Sequence, residues 1–329
     1  MWRRPGISTR TSSYINALLV WCFREASDLA QAVGDNGREA HYRRVAQEIR
    51  AAMLARLWDE ARGVFPESSG DMDHVPIDAN AVAIVGGTIT DGQDQKRILD
   101  YILSTMWSPW GSLTVDIPYP RTRPEYHNRR VWPWMVALEV WARFLAYSDD
   151  DGDYALTLTR RTWGHFLTHD PYSTFWEWVG PDGTPETPYT SLCHGVSAGV
   201  VPILSTYVTG IEPTSPGFRT YRILPHLGDL EWAQAVVPTP QGPLSFSIRR
   251  DGQPGRLRMT LASPPGTKGE VVLPKGMGSR HIEVSHVGPR GAARVSAGQR
   301  LARAGPENDD ADVIAVGGID AGRWLLEAY

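Results

Sequence analysis

Apolar residues change rhythm once along this chain, near Gly210, and that change restricts the possible folds more than composition does. Before it they recur every three to four positions. Tyr14, Leu18, Cys22, Leu29 and Val33 follow the capping candidates Ser12 and Ser13 and stop at Gly34. Tyr42, Val45, Ile49 and Met53 form the next stripe, and an Asn36-Gly37 turn between the two predicts an antiparallel helical hairpin. Residues 79–85 and 96–106 read as a second pair, punctuated by Gly86, Gly87, Asp91 and Gly92. Trp134, Leu138, Trp141 and Leu145 mark a helix entered at Pro133, whose missing N–H is harmless in a first turn. Residues 151–167 supply its partner, and a last helix over 196–208 should be kinked or shifted by Pro202. About seven helices joined by short connections suit an α/α toroid over residues 1–210, although no sequence repeat is visible. Beyond Pro213 the period is two: Leu244, Phe246 and Ile248, then Leu257, Met259 and Leu261, then Ile282 and Val284. Glycine and proline turns separate these runs, and residues 324–329 return as a closing strand, so residues 211–329 read as an antiparallel β-sandwich.

The 329 residues are enough for two domains. With 33 basic and 37 acidic residues and a net charge of −4, no basic block invites nucleic acid. No apolar run reaches the roughly 18 residues of a membrane span and no secretory leader is visible, so neither a membrane role nor export is expected; the default is a cytoplasmic chain. Cys22 and Cys193 do not form a disulfide framework. Thirteen tryptophans are more informative, because eight of them fall between Trp107 and Trp178 and indole faces stack on the C–H surfaces of sugars.

In that tryptophan-rich region lies Ser173-Thr174-Phe175-Trp176-Glu177-Trp178, followed downstream by Ser191-Leu192-Cys193-His194-Gly195. A carboxylate between two indoles with an imidazole nearby suits a carbohydrate-cleaving pocket, with flat walls, an acid/base group and a hydroxyl contact. Each member has a plainer reading. Glu177 is also a loop glutamate ahead of Gly180, Pro181 and Gly183, and His194 also a helix-start histidine. Trp176 and Trp178 should point in different directions, with at most one facing sugar, and Trp132 competes between a sugar wall and the core, as do Trp107, Trp110 and Trp134. Tyr126, His127 and Asn128 would rim the cleft. Asp71, Asp73, His74 and Asp78 have no metal-loop spacing, and Gly86-Gly87 lacks a phosphate-cradle fingerprint, so no metal or cofactor is predicted.

Several ordered stretches resemble the bacterial and fungal α-L-rhamnosidases: RRTWGHFL at 160–167, TFWEWV at 174–179, TSLCHGVSAG at 190–199, VTGIEPTSPGFR at 208–219 and ILPHLGDLEWAQAVVPTP at 223–240. The resemblance implies the latter hairpins of an (α/α)6 barrel followed by a C-terminal β-sandwich, hence a partial toroid, since a six-hairpin barrel has twelve helices. It implies inverting hydrolysis of a terminal α-L-rhamnoside, with Glu177 as general base and His194 in the sugar subsite. The family's acid signature, Asp-x-x-Arg-Asp-Glu, has no match in residues 1–34. Asp78, Asp116 and Glu125 are the carboxylates offered in its place, and without an acid the chain is expected to be truncated or incomplete as an enzyme. Such a partial toroid exposes apolar helix faces that favour self-association or a partner completing the ring. The rival readings are a non-catalytic carbohydrate-binding or assembly protein and another toroid enzyme, a phosphorylase or a lyase.

Overall fold

A computed structural model describes residues 11–119, 130–146, 149–186, 190–274, 281–288, 291–294 and 313–329. The chain divides into two compact units, Met1–Val200 and Val201–Tyr329.

In the first unit, α1 (Ser13–Ala32) begins where the Ser12 hydroxyl accepts the Ile15 N–H at 3.4 Å. It ends at Gly34, which takes φ +77°. Asp35 then caps α2 (Asn36–Arg56) by accepting the Arg38 N–H at 3.0 Å. Asn36 and Gly37 therefore belong to the first turn of α2, and the connection is Val33–Asp35, because the Asp35 carboxylate captures the helix start two residues ahead of where a helix following that turn would begin. The α1 stripe is also corrected. Its buried face consists of Ser13, Ala17, Val20, Ser27 and Ala30, whereas Leu29 and Val33 are 70% and 80% exposed and Cys22 is exposed. Small side chains let α2 approach closely enough for the Ser27 hydroxyl to donate to the Glu39 carbonyl at 3.2 Å.

Two further hairpins follow. Asp91 caps α4 (Gly92–Met106), which buries Ile98, Leu99, Ile102 and Met106 and partners α3 (Ile77–Val85), whose residues Ile77 to Ile84 are buried throughout. α5 (Pro133–Leu145) starts at Pro133 as expected and packs on α6 (Asp149–Thr159). α1 packs on α3 and α3 on α5, so the odd-numbered helices form a row whose hairpin mates are α2, α4 and α6. A buried ionic cluster ties α5 to α4 and α6. Arg143 donates to Glu139 at 2.8 Å, to Asp151 at 2.9 Å and to the Leu99 carbonyl at 3.0 Å, while Glu139 also accepts the Trp107 indole N–H at 3.0 Å and the Ser112 hydroxyl.

Beyond Thr159 the expected single helix over 151–167 is interrupted by a wide π turn at Arg160–Gly164 and resumes as α7 (His165–His169). The expected helix over 196–208 splits three ways: a 3-10 turn at Gly195–Gly199, α8 (Val200–Ile203) and a π turn at Leu204–Val208, with Pro202 unable to supply an N–H to a regular ladder. Two short strands, β1 (Trp107–Ser108) and β2 (Gly111–Ser112), form a hairpin within the helical unit. Among the described residues no helix is long and apolar enough to cross a membrane.

The second unit contains β3 (Ile211–Pro213), β4 (Thr220–Ile223), β5 (Trp232–Thr239), β6 (Gly242–Arg250), β7 (Leu257–Pro274), β8 (Ile282–Gly288), β9 (Gly291–Arg294) and β10 (Val313–Ala328). The order is β3-β4-β7-β10-β8-β9, with β6 on β7 and β5 on β6. The pairing is not wholly antiparallel, because β4 runs parallel to β7. β7 pairs along two stretches: residues 257–262 with β6 and residues 268–271 with β4, and the chain between them passes Gly266 at φ +79°. The buried ring of Tyr221 fills the space above Gly269, where an added Cβ would lie 2.3 Å from it. The fold is thus a partial α/α toroid followed by a β-sandwich with one parallel pair.

Candidate active site

Three extended segments meet beside the toroid hairpins. Val131 exchanges backbone hydrogen bonds with Val179 (3.0 and 2.9 Å), and the Thr114 N–H donates to the Arg130 carbonyl at 3.2 Å. This pairing sets Trp132 beside Trp178, stacked at 6.0 Å and 9°. The Arg130 guanidinium lies 5.2 Å from the Trp178 ring centre and is itself held by Glu186. Trp178 is 1% and Trp132 9% exposed, and both belong to the apolar core. Trp176 is equally enclosed: its indole N–H donates to Asp170 at 2.6 Å and its ring packs on Phe166. Both flanking indoles therefore turn into protein, where the sequence allowed at most one to face sugar. Each finds a nearby partner, an aromatic stack for Trp178 and a carboxylate for Trp176, that desolvates it more completely than an open cleft would.

Between them Glu177 stays half-buried. Its N–H donates to the Ser191 carbonyl at 2.8 Å, and its Oε2 accepts the Ser191 N–H at 3.2 Å. Among the described residues Oε1 has no protein partner. Three residues on, the His194 N–H donates to the Phe175 carbonyl at 2.8 Å. The two motifs thus lie against each other along facing backbones, which brings Glu177 and His194 to one place. The His194 ring is half-exposed, with neither nitrogen engaged among the described residues. The downstream segment is clamped by Ser197, whose hydroxyl donates to the Trp176 carbonyl and whose carbonyl accepts the Trp163 indole N–H, each at 2.7 Å.

Asp170 and Ser197 do this positioning together with Ser191 of the downstream motif, and the sequence pattern marks neither Asp170 nor Ser197 as a site residue. Asp170 accepts from Trp176, from the Tyr172 N–H at 2.7 Å and from the Thr174 hydroxyl at 2.9 Å. The Trp176 bond and these further donors hold its carboxyl below the ordinary range. An aspartate followed two and four residues later by local donors is a turn signature that could have flagged it. His165 was also missed. Its Nε2 faces the Gly183 carbonyl at 2.7 Å and so carries the proton, and burial lowers its pKa. Gly183, at φ +83°, sits where an added Cβ would lie 2.7 Å from the Trp110 ring.

The carboxylates offered as the second catalytic acid are already engaged. Asp78 is buried in the first turn of α3 and accepts the Ala79 N–H at 2.9 Å. Asp116 accepts from Val75, Ile117 and the Tyr101 hydroxyl at 2.7–2.9 Å, and burial, then this bond, pushes the Tyr101 pKa up to about 12. Glu125, Tyr126, His127 and Asn128 lie outside the described residues. Asp71 pairs with His74 at 2.8 Å, and the imidazole stacks on Tyr119 at 4.2 Å.

Two family models match. The mannosylglycerate hydrolase MGH1-like glycoside hydrolase domain covers residues 10–186, more than half of the chain, and the bacterial alpha-L-rhamnosidase C-terminal domain covers residues 210–288. Similar solved structures include the alpha-L-rhamnosidase of Dictyoglumus thermophilum (TM-score 0.62, 17% identity, 94% of this chain and 31% of that one). Others are the GH78 family rhamnosidase of Bacillus sp. GL1 (0.62, 23%, 80% and 26%) and the Streptomyces avermitilis alpha-L-rhamnosidase complexed with L-rhamnose (0.61, 19%, 95% and 26%). The chain thus spans under a third of the length of these relatives. No curated protein matches it by sequence.

Proposed function

The chain belongs to the family of MGH1-like glycoside hydrolase domains, and on that premise we propose that it carries the base side of an inverting α-L-rhamnosidase site. The observation that carries this reading is the Glu177 carboxylate, with one oxygen fixed by the Ser191 N–H and the other unclaimed among the described residues, on a segment paired with that of His194. Oε1 would take a proton from the water that attacks C1 of a terminal rhamnose opposite the aglycone, and the His194 ring would hold a ring hydroxyl. The buried indoles act by fixing Glu177 from behind. Inversion also needs an acid roughly 6.5–9.5 Å across the cleft. A second reading, sugar binding without turnover, is favoured by Asp78 and Asp116 being committed to the fold.

The test is to titrate the chain with L-rhamnose, and with D-mannose in parallel, by NMR. Weak L-rhamnose binding is expected, in about the millimolar range, weakened at least about tenfold by His194→Ala and changed only a few-fold by Glu177→Gln. Preference for D-mannose would move the substrate toward mannosylglycerate, and no binding of either sugar would remove the site. Hydrolysis of a nitrophenyl α-L-rhamnoside by the chain alone should be slight, because general acid catalysis contributes about 10²- to 10⁴-fold. Robust turnover would exclude the binding-only reading and reveal an acid within the chain.

A further inference from the structure

α1 lies at the end of the row of odd-numbered helices, with α2 and α3 as its main packing partners. Its buried face is lined by Ser13, Ala17, Val20, Ser27 and Ala30, with Tyr14, Leu18 and Trp21 packed against the core beside it, while a second set of apolar side chains points away. Ile15, Leu19, Cys22, Ala26, Leu29 and Val33 follow one another at steps of four, three, four, three and four, which places them in one straight stripe along the helix and its C-cap. Ile15, Leu19, Leu29 and Val33 are 50%, 38%, 70% and 80% exposed, and Cys22 is exposed. No charge interrupts the stripe. Glu25 at its edge is drawn aside by the Trp21 indole N–H at 3.1 Å.

A seam with this spacing is the half-interface of a helix pair, and its own symmetry indicates the other half. Read in either direction the stripe has two large residues, two small ones and two large ones. Turned antiparallel on a copy of itself, Ile15 meets Val33, Leu19 meets Leu29, and Cys22 meets Ala26 at the centre, where small side chains allow close approach. Charge agrees with that orientation. α1 has no acidic residue in its first turn and no basic residue in its last, so its dipole ends are uncompensated by its own side chains, and an antiparallel copy sets each N-terminus beside the partner's C-terminus. A 20-residue helix is about 30 Å long, and two such faces would bury on the order of 1,000–1,200 Å², at the low end for a specific interface. We infer that the outer face of α1 is a self-association surface, occupied by α1 of a second copy in an antiparallel two-fold pair. The inference is independent of the chemistry proposed for Glu177.

The experiment is light scattering of the purified full chain and two variants, with circular dichroism to check that helix content is kept. The chain should run at twice its monomer mass. Leu19→Glu and Leu29→Lys should each be monomeric, since each sets an unpaired charge into an apolar seam, at a cost of at least about tenfold in Kd. An equimolar mixture of the two variants should recover the dimer, because the carboxylate introduced in one copy then faces the ammonium introduced in the other. A monomeric wild-type chain would overturn the inference and leave the face to a helix of another polypeptide. A dimer indifferent to Leu19→Glu would place the interface elsewhere, and failure of the mixture to reassociate would rule out the antiparallel register.

Discussion

Two polar constellations in the helical unit differ in how fully their hydrogen-bonding capacity is used. Around Arg143, which is wholly buried, Glu139, Asp151, Trp107, Ser112 and the Leu99 carbonyl answer one another inside the protein. Around Glu177, which is half-buried, one carboxylate oxygen is anchored and, among the described residues, the other is open, as is the imidazole on the facing segment. A buried charge must be met in full by protein, because the interior offers it nothing else. A site that handles a substrate must keep acceptors and donors unclaimed and accept partial exposure to do so. The difference separates charges that hold a fold from charges available for chemistry.

The strongest way to break that contrast is Arg143→Ala, which leaves Glu139 and Asp151 buried without their cation. We expect a loss of about 3–5 kcal/mol in urea unfolding. A loss under about 1 kcal/mol would mean that water or rearrangement satisfies the cluster and that its burial is not decisive.

Acidification should produce an intermediate effect at the walls of the candidate site, in two windows. His165 has a folded-state pKa lowered by burial, so its contribution is complete above about pH 6.5 and declines as the unfolded chain takes up protons below that value. Asp170 has a folded-state pKa lowered chiefly by Trp176, so its contribution is present above about pH 4 and lost as pH falls through the depressed value. Thermal unfolding midpoints between pH 8 and 3 should decline in both ranges, and His165→Gln should remove the upper decline alone. An unchanged upper decline in that variant would assign it to another group.

The smallest expected effect is that of Glu177→Gln on stability. The amide keeps an oxygen for the Ser191 N–H, so the change should stay within about 0.5 kcal/mol, while any rhamnoside hydrolysis falls by about 10²- to 10⁴-fold. A large stability loss would move Glu177 into the class of Arg143.

Much of the architecture was legible from local pattern. The switch of period near Gly210, the Ser12 cap and the Pro133 helix start follow from residues a few positions apart, whose backbone preferences act without distant help. The same local logic failed where two signals competed. Asn36-Gly37 is a good turn pair, but Asp35 ahead of it is a better cap. Pro202 signalled trouble in the last helix without saying that the path would divide into 3-10, α and π segments.

By itself the sequence determined the class of structure, a row of helical hairpins and then strands, and marked the motifs that hold Glu177 and His194 as candidates. Only the tertiary structure decided which side of α1 is buried, that Trp176 and Trp178 both turn inward, that β4 runs parallel to β7, and that Asp170 and Ser197 hold the segment of Glu177. The physical reason is range. Caps, turns and periodicity depend on neighbours within about one helical turn. The burial of a face depends on what packs against it: Val131 pairs with Val179 and sets Trp132 on Trp178, a contact between segments far apart in the chain that no local propensity encodes.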